Sequence, residues 1–172
     1  MRLTTTKQFL YDSEKMEYTQ SQIDTLITSL NLHAQIANIT VNTLDSHQLT
    51  DEEKEFITAF TPENQLIIYG TLAPGKPNHA KIAHIEGVWL DAVIWGQLKN
   101  EGWGAALGYY GFVSNTTENV EVIPAKILQS SKLIKEYAFL DDFEGAGYQR
   151  ILTKYQLSTG VTGVGYIYAL NN

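Results

Sequence analysis

The sequence predicts an α+β protein, with a helical N-terminal extension followed by a mixed or mostly antiparallel β body. Three observations predict it. The first 60 residues contain no glycine, and all 13 glycines follow Pro62. Before that junction apolar residues recur at offsets of three and four; after it they alternate, or run in short blocks ended by glycine. The β segments are not separated by regular helical crossovers, which disfavours a parallel βαβ sheet. Both an open sheet and a small closed barrel remain compatible with the pattern. The division this implies is a helical extension over residues 1–62 and a body over residues 63–172.

The elements follow in order. Ile23, Leu26, Ile27 and Leu30 mark one face of a helix from about Ser21. The pattern continues less regularly through Leu32, Ile36, Ile39, Val41 and Leu44, in a stretch rich in Asn and Thr. "LTDEEKEF" predicts a second helix from Asp51 to about Phe60, with Thr50 as N-cap and Glu53 closing a capping box. "QLIIYGTL" reads as a short buried strand that enters a loop at Gly70. "GKPNH" is a turn, and "GVWLDAVIWGQL" is a long strand or a bent hairpin arm. Gly102, Gly104, Gly108 and Gly111 crowd into "NEGWGAALGYYGFV", which predicts a loop. "NVEVIPAKIL" alternates as a strand. "SSKLIKEYAFLDDFEG" predicts a short helix after Ser130 or Ser131, with Leu133, Ile134, Tyr137 and Leu140 on one side. "ILTKYQLST" and "TGVGYIYAL" close the chain as two strands joined by a glycine-bearing turn.

Composition narrows the function. The net charge is −7 and no basic run occurs, which argues against nucleic acid and anionic membranes as partners. The chain has no cysteine, so thiol nucleophiles, disulfides and cysteine-based metal sites are excluded. "MRLTTTKQFLYDSEK" lacks an apolar signal core, and no apolar run approaches the roughly 20 residues of a membrane span. A cytoplasmic location is the expectation. His33, His47, His79 and His84 carry no carboxylate at zinc-protease spacing, so no metal site is expected and the histidines read as surface or loop residues. Trp89, Trp95 and Trp103 read as core or pocket wall.

Two segments can carry chemistry. In "IIYGTLAPGKPNH" a strand runs into Gly70 and a hydroxyl residue, which can present backbone N–H groups as a nest for a carboxylate or an oxyanion. The plainer reading is a tight turn. Walker phosphate-loop spacing is absent. In "LDDFEGAGYQR" Leu140 and Phe143 are expected to face the core, with Gly145 stopping the helix. Glu144 then lies at the negative end of the helix dipole, where partial burial would raise its proton affinity and make it a general base near neutral pH. The plainer reading is a solvated helix end with an ion pair to Arg150. From local sequence both alternatives stay open.

The two segments together, in this order and about 70 residues apart, resemble the γ-glutamylcyclotransferase superfamily, including γ-glutamylamine cyclotransferase and the AIG2-like proteins. The resemblance covers about Leu66 to Leu170 and leaves the extension outside it. It implies a small β-barrel flanked by helices, a cavity at one side, and neither metal nor organic cofactor. It implies an enzyme that cleaves a γ-glutamyl amide by attack of the substrate's own α-amine, releasing 5-oxoproline and an amine or amino acid. In the matching D-x-x-E-G segment the catalytic carboxylate is Glu144. The matching substrate loop is Tyr69, Gly70, Thr71 and Leu72, and Tyr148 falls at the pocket edge. Arg150 is expected to order Asp141 or Asp142. The loop Gly102–Gly111 either borders the pocket and selects the leaving group or serves packing. The implied partner is a small γ-glutamyl substrate, with a homodimer through the extension as a further expectation. The alternative function is a non-catalytic binding or regulatory AIG2-like module, since a fold does not fix its function.

Overall fold

A computed structural model describes residues 17–114 and 119–171. The chain divides after Thr61 into two compact units, each described here by itself.

In the first unit helix α1 spans Gln20–Ala37 and helix α2 spans Asp51–Phe60. Both begin with a reciprocal capping box, Thr19 with Gln22 and Thr50 with Glu53. Each box satisfies amide donors that the first turn leaves without partners. The buried stripe of α1 is Ile23, Ile27, Leu30 and Ala34. Helix α1 stops at Asn38, whose left-handed backbone (φ 58°) lets its N–H reach back to Ala34 and Gln35. Two 3-10 turns, Val41–Thr43 and Ser46–Gln48, absorb the irregular stretch before α2. Tyr18, Phe56 and Phe60 form an aromatic cluster, with centroids 4.8–5.6 Å apart. Glu53 is 1% exposed, and beyond its cap it accepts a 2.6 Å bond from Ser29 Oγ. His33 Nδ1 lies 3.2 Å from the same carboxylate, poorly aligned for a hydrogen bond.

The second unit is one six-stranded mixed sheet. Its strands are β1 Gln65–Ile68, β2 Val88–Lys99, β3 Gly111–Val113, β4 Glu121–Gln129, β5 Tyr148–Leu157 and β6 Thr162–Leu170. Five of them close a ring: β1 pairs β4, β4 pairs β2, β2 pairs β5, β5 pairs β6, and β6 returns in parallel to β1. This settles the choice between an open sheet and a barrel in favour of the barrel. The sixth strand, β3, bridges β2 and β6 through Gln97–Lys99 and Ala169. It falls in the segment expected to be loop. Three residues are too few to show a period, and Gly111 there is required because a Cβ would lie 2.5 Å from Leu170.

Alternation selects the interior. Ala92 and Ile94 of β2, with Ile123, Ala125 and Ile127 of β4, fill it together with Ile67, Phe112, Tyr155 and Ile167. Pro124 lies inside β4, a position normally closed to proline. It is tolerated because β1 reaches β4 only from Lys126 to Gln129, so at Pro124 the strand has β2 on one side and, among the described residues, no strand on the other. The segment before the last hairpin is not one helix. A 3-10 turn, Leu133–Glu136, leads into helix α3, Tyr137–Glu144. The tighter first turn moves Ile134 off the buried side, where it is 53% exposed, while Leu133, Tyr137 and Leu140 stay buried. Among the described residues no helix is long and apolar enough to cross a membrane.

The barrel's closure depends on close backbone approach. A Cβ on Gly165 of β6 would meet the Gln65 carbonyl oxygen of β1 at 2.7 Å, a backbone atom with no rotamer to move into. Gly165→Ala is expected to cost about 1–3 kcal/mol, read as a lower midpoint in denaturant unfolding with an unchanged slope.

Candidate functional site

Beyond the end of β1 the chain leaves the sheet at Tyr69 and lines an open cleft. Its walls are Leu66 to Leu72, the loop residues Trp103, Gly104, Tyr109 and Tyr110, the side chain of Tyr168, and Glu144 with Tyr148. The structure therefore brings together all six residues singled out in the sequence: Glu144, Tyr69, Gly70, Thr71, Leu72 and Tyr148. The glycine-dense loop borders the same cleft. No lysine or arginine is among the lining residues.

Glu144 is placed by the end of α3. Gly145 has φ 83°, a conformation that suits glycine, and its N–H bonds Asp141 O at 3.0 Å. The N–H of Tyr148 then bonds Gly145 O at 3.1 Å and starts β5. This tight turn puts Glu144 and Tyr148 on one wall. No charged or hydrogen-bonding partner of Glu144 is present among the described residues. Burial alone pushes its pKa up to about 7. Burial also raises the neighbouring Tyr148 phenol, and the Glu144 charge adds to it. The Tyr148 hydroxyl packs over Gly102, where a Cβ would approach it to 2.1 Å.

Helix α3 is held by Arg150 of β5. Its Nε and Nη2 donate to the two oxygens of Asp141 at 2.9 and 3.0 Å. The guanidinium lies 4.0 Å from the Tyr137 ring centroid and 4.9 Å from that of Tyr166. Tyr168 Oη donates to Asp141 Oδ1 at 2.6 Å. Burial works to raise the Asp141 pKa, but the bonds from Arg150 and Tyr168 outweigh it and leave the carboxyl below its ordinary range. Asp142 is exposed. The acids of "DDFE" are thus separated by environment, with Asp141 clamped, Asp142 solvated and Glu144 desolvated. Phe143, expected in the core, is half-buried instead. It packs edge-on to Trp103 at 5.4 Å and stacks with Phe139 at 6.4 Å, so its ring meets the glycine-dense loop instead of the barrel core.

The loop after β1 lines the same cleft. Tyr69 lines the cleft, but its hydroxyl is committed to the barrel: it donates to Tyr168 O at 2.7 Å and accepts from Phe112 N at 2.9 Å. Its burial raises the phenol pKa well above the ordinary tyrosine range. The contribution of the loop is backbone. The carbonyl of Gly70 accepts from Ala73 N at 3.1 Å, that of Thr71 from Asn78 N at 2.9 Å, and that of Leu72 faces His79 Nδ1 at 2.9 Å. The N–H groups of Gly70, Thr71 and Leu72 find no acceptor among the described residues. Thr71 and Leu72 are buried, and amides left open at a buried position mark a place where a ligand can supply the acceptor. Sequence reasoning missed His79 as a loop-holding residue. The signal available was its place in "GTLAPGKPNH", seven residues after Leu72 in a turn-rich loop.

Fold and cleft together define a small closed-barrel α+β protein whose cleft holds one desolvated carboxylate and a loop of open backbone donors. Neither the family models nor the curated proteins contain a match. Solved structures similar to the chain include YkqA from Bacillus subtilis, 24% identical with a TM-score of 0.49, over 63% of this chain and 36% of that one. An AIG2-like protein from Mus musculus is 21% identical with a TM-score of 0.46, over 62% of this chain and 76% of that one. A uropathogenic Escherichia coli-specific protein is 19% identical with a TM-score of 0.45, over 61% and 78%. The chain thus spans about a third of the length of the Bacillus protein. The reading of the site rests on the geometry above.

The raised pKa of Glu144 has a consequence for stability. A carboxylate whose pKa is higher folded than unfolded destabilises the fold as pH rises from 4.5 to 7, and the full cost applies above 7. Glu144→Gln removes the ionisation. It is expected to raise stability by about 1–3 kcal/mol at pH 8 and to leave it nearly unchanged at pH 4.5, measured by urea unfolding at both pH values.

Proposed function

We propose that this protein is a γ-glutamylcyclotransferase-like enzyme, cleaving a γ-glutamyl amide to 5-oxoproline and a free amine or amino acid. The observation that carries the reading is Glu144: a carboxylate poised near pH 7, without a partner among the described residues, in the same cleft as open amide donors. The paired motifs "YGTLAPGKPNH" and "FLDDFEGAGYQR" support it through their resemblance to that superfamily.

The chemistry uses each part. The substrate's α-ammonium gives a proton to Glu144 and becomes a nucleophile. Its nitrogen attacks the γ-carbonyl carbon, forming the ring C–N bond. The tetrahedral oxyanion draws on the amides of Gly70, Thr71 and Leu72. The bond from the γ-carbon to the leaving nitrogen then breaks. Two protons leave the α-nitrogen and two reach the departing amine, with Glu144 as carrier, so no water is consumed. Holding the γ-glutamyl chain folded makes the attack intramolecular, which is worth about 7–11 kcal/mol in well-oriented systems. The absence of lysine and arginine from the wall keeps Glu144 from being depressed back to an ordinary carboxylate pKa. Trp103, Tyr109 and Tyr110 flank the mouth, where the leaving group would depart.

The test is release of 5-oxoproline from γ-glutamyl amino acids, γ-glutamyl-ε-lysine, γ-glutamylamines and glutathione. Activity is expected on at least one class, with kcat/KM rising tenfold per pH unit below an apparent pKa near 7. Glu144→Gln is expected to lower kcat by about 10²–10⁴-fold. Full activity in that variant overturns the assignment of the base. Binding of 5-oxoproline without turnover of any substrate favours a non-catalytic module.

A further inference from the structure

The loop that presents Thr71 and Leu72 is braced by its own backbone bonds and by one side chain, a histidine that the chemistry above does not use. The peptide groups of the loop are linked in series. His79 Nδ1 lies 2.9 Å from Leu72 O, and a carbonyl oxygen only accepts, so Nδ1 carries the proton. That bond fixes the Leu72–Ala73 peptide plane. The N–H of the same plane, on Ala73, donates to Gly70 O at 3.1 Å. This second bond fixes the Gly70–Thr71 plane. In a trans peptide the N–H points opposite to the C=O, so tying Gly70 O inward turns the Thr71 N–H outward. Thr71 N–H is one of the open donors of the cleft wall. Leu72 N–H is oriented in parallel by Asn78, whose backbone N–H holds Thr71 O at 2.9 Å. The His79 ring itself is steadied against Trp89, with centroids 5.5 Å apart and planes at 60°.

We infer that His79 is a positioning residue for the anion-binding loop, holding the Thr71 N–H toward a substrate carboxylate or oxyanion through the relay Nδ1–H to Leu72 O and Ala73 N–H to Gly70 O. It touches no reacting atom. Hydrogen bonds in such a series polarise one another, so the relay also strengthens the terminal donor. The inference rests on the reading of the cleft as a γ-glutamyl site, and it assigns to "PNH" a role that neither the base nor the substrate loop supplies.

The experiment compares the full chain with His79→Ala and His79→Asn. The asparagine amide nitrogen can take the place of Nδ1, while alanine leaves Leu72 O without a donor. Binding of 5-oxoproline is measured by titration and followed at the Thr71 and Leu72 amides by ¹⁵N NMR, together with the His79 tautomer. The wild type is expected to hold the Nδ1–H tautomer. His79→Ala is expected to weaken 5-oxoproline binding and kcat/KM by about 10–100-fold, the usual scale for a group that orients a ligand-binding group without touching the ligand. His79→Asn is expected to restore most of both. A purely structural histidine would lower the melting temperature in His79→Ala and leave the affinity unchanged, which overturns the inference. The Nε2–H tautomer in the wild type, or equal loss in the alanine and asparagine variants, also overturns it. A wild type that neither binds 5-oxoproline nor releases it refutes the γ-glutamyl reading. The tautomer, and the Thr71 amide shift in the two variants, still decide whether His79 holds the loop.

Discussion

The bond between Arg150 and Asp141 is the constraint on which the arrangement of the barrel unit depends. It joins a strand to a helix, and the helix ends in Glu144 three residues after Asp141. Arg150 is 8% exposed, yet its charge is matched by two carboxylate contacts and by two tyrosine rings. A buried cation left without such partners would cost several kcal/mol. With them it becomes a rigid strut, because Arg150 leaves β5, Tyr166 and Tyr168 come from β6, and Tyr137 starts α3. The same strut keeps the positive charge committed to Asp141. Glu144 is therefore left in a low-dielectric pocket with no cation to ionise it, and two carboxylates one helical turn apart acquire opposite proton affinities.

The two walls of the cleft are built on different principles. The α3 wall offers one carboxyl whose proton affinity is raised by desolvation. The loop wall offers peptide groups, and its side chains mostly serve the fold, as the doubly bonded Tyr69 hydroxyl shows. Backbone donors cannot change protonation state. A site made this way responds to pH through Glu144 and keeps a constant set of donors in the same cleft.

How much of this was legible in the sequence follows the range of the interactions. Helix α2 was legible to the residue, because a capping box is complete within four positions. The helix stop at Gly145 and the strand leading into Gly70 were legible for the same reason. The ring closure was legible only through the family resemblance, which implied a barrel; no local pattern shows it, since the parallel return of β6 to β1 joins segments 100 residues apart in sequence, as in Leu66 with Tyr166. Phe143 was misread because an apolar residue near a helix end looks the same whether it meets a core or a loop tryptophan. Of the site, the pair of motifs identified the residues of the walls. Their separation into a committed Tyr69 and a free Glu144 depends on Tyr168 and Phe112, distant partners that no local pattern names.

The proline in β4 has a bearing on how the molecule coexists with its own copies. From Glu121 to Ala125 that strand has no strand neighbour opposite β2 among the described residues, and Val122 on it is 63% exposed. An apolar strand with a bare edge is a template on which another chain can add a strand, the first step of edge-to-edge aggregation. Pro124 withdraws one N–H from that edge and puts a ring where an incoming backbone would have to lie. The residue that seemed out of place inside a strand thus acts as a guard against polymerisation, at a stretch of edge that the strand pairing leaves open among the described residues.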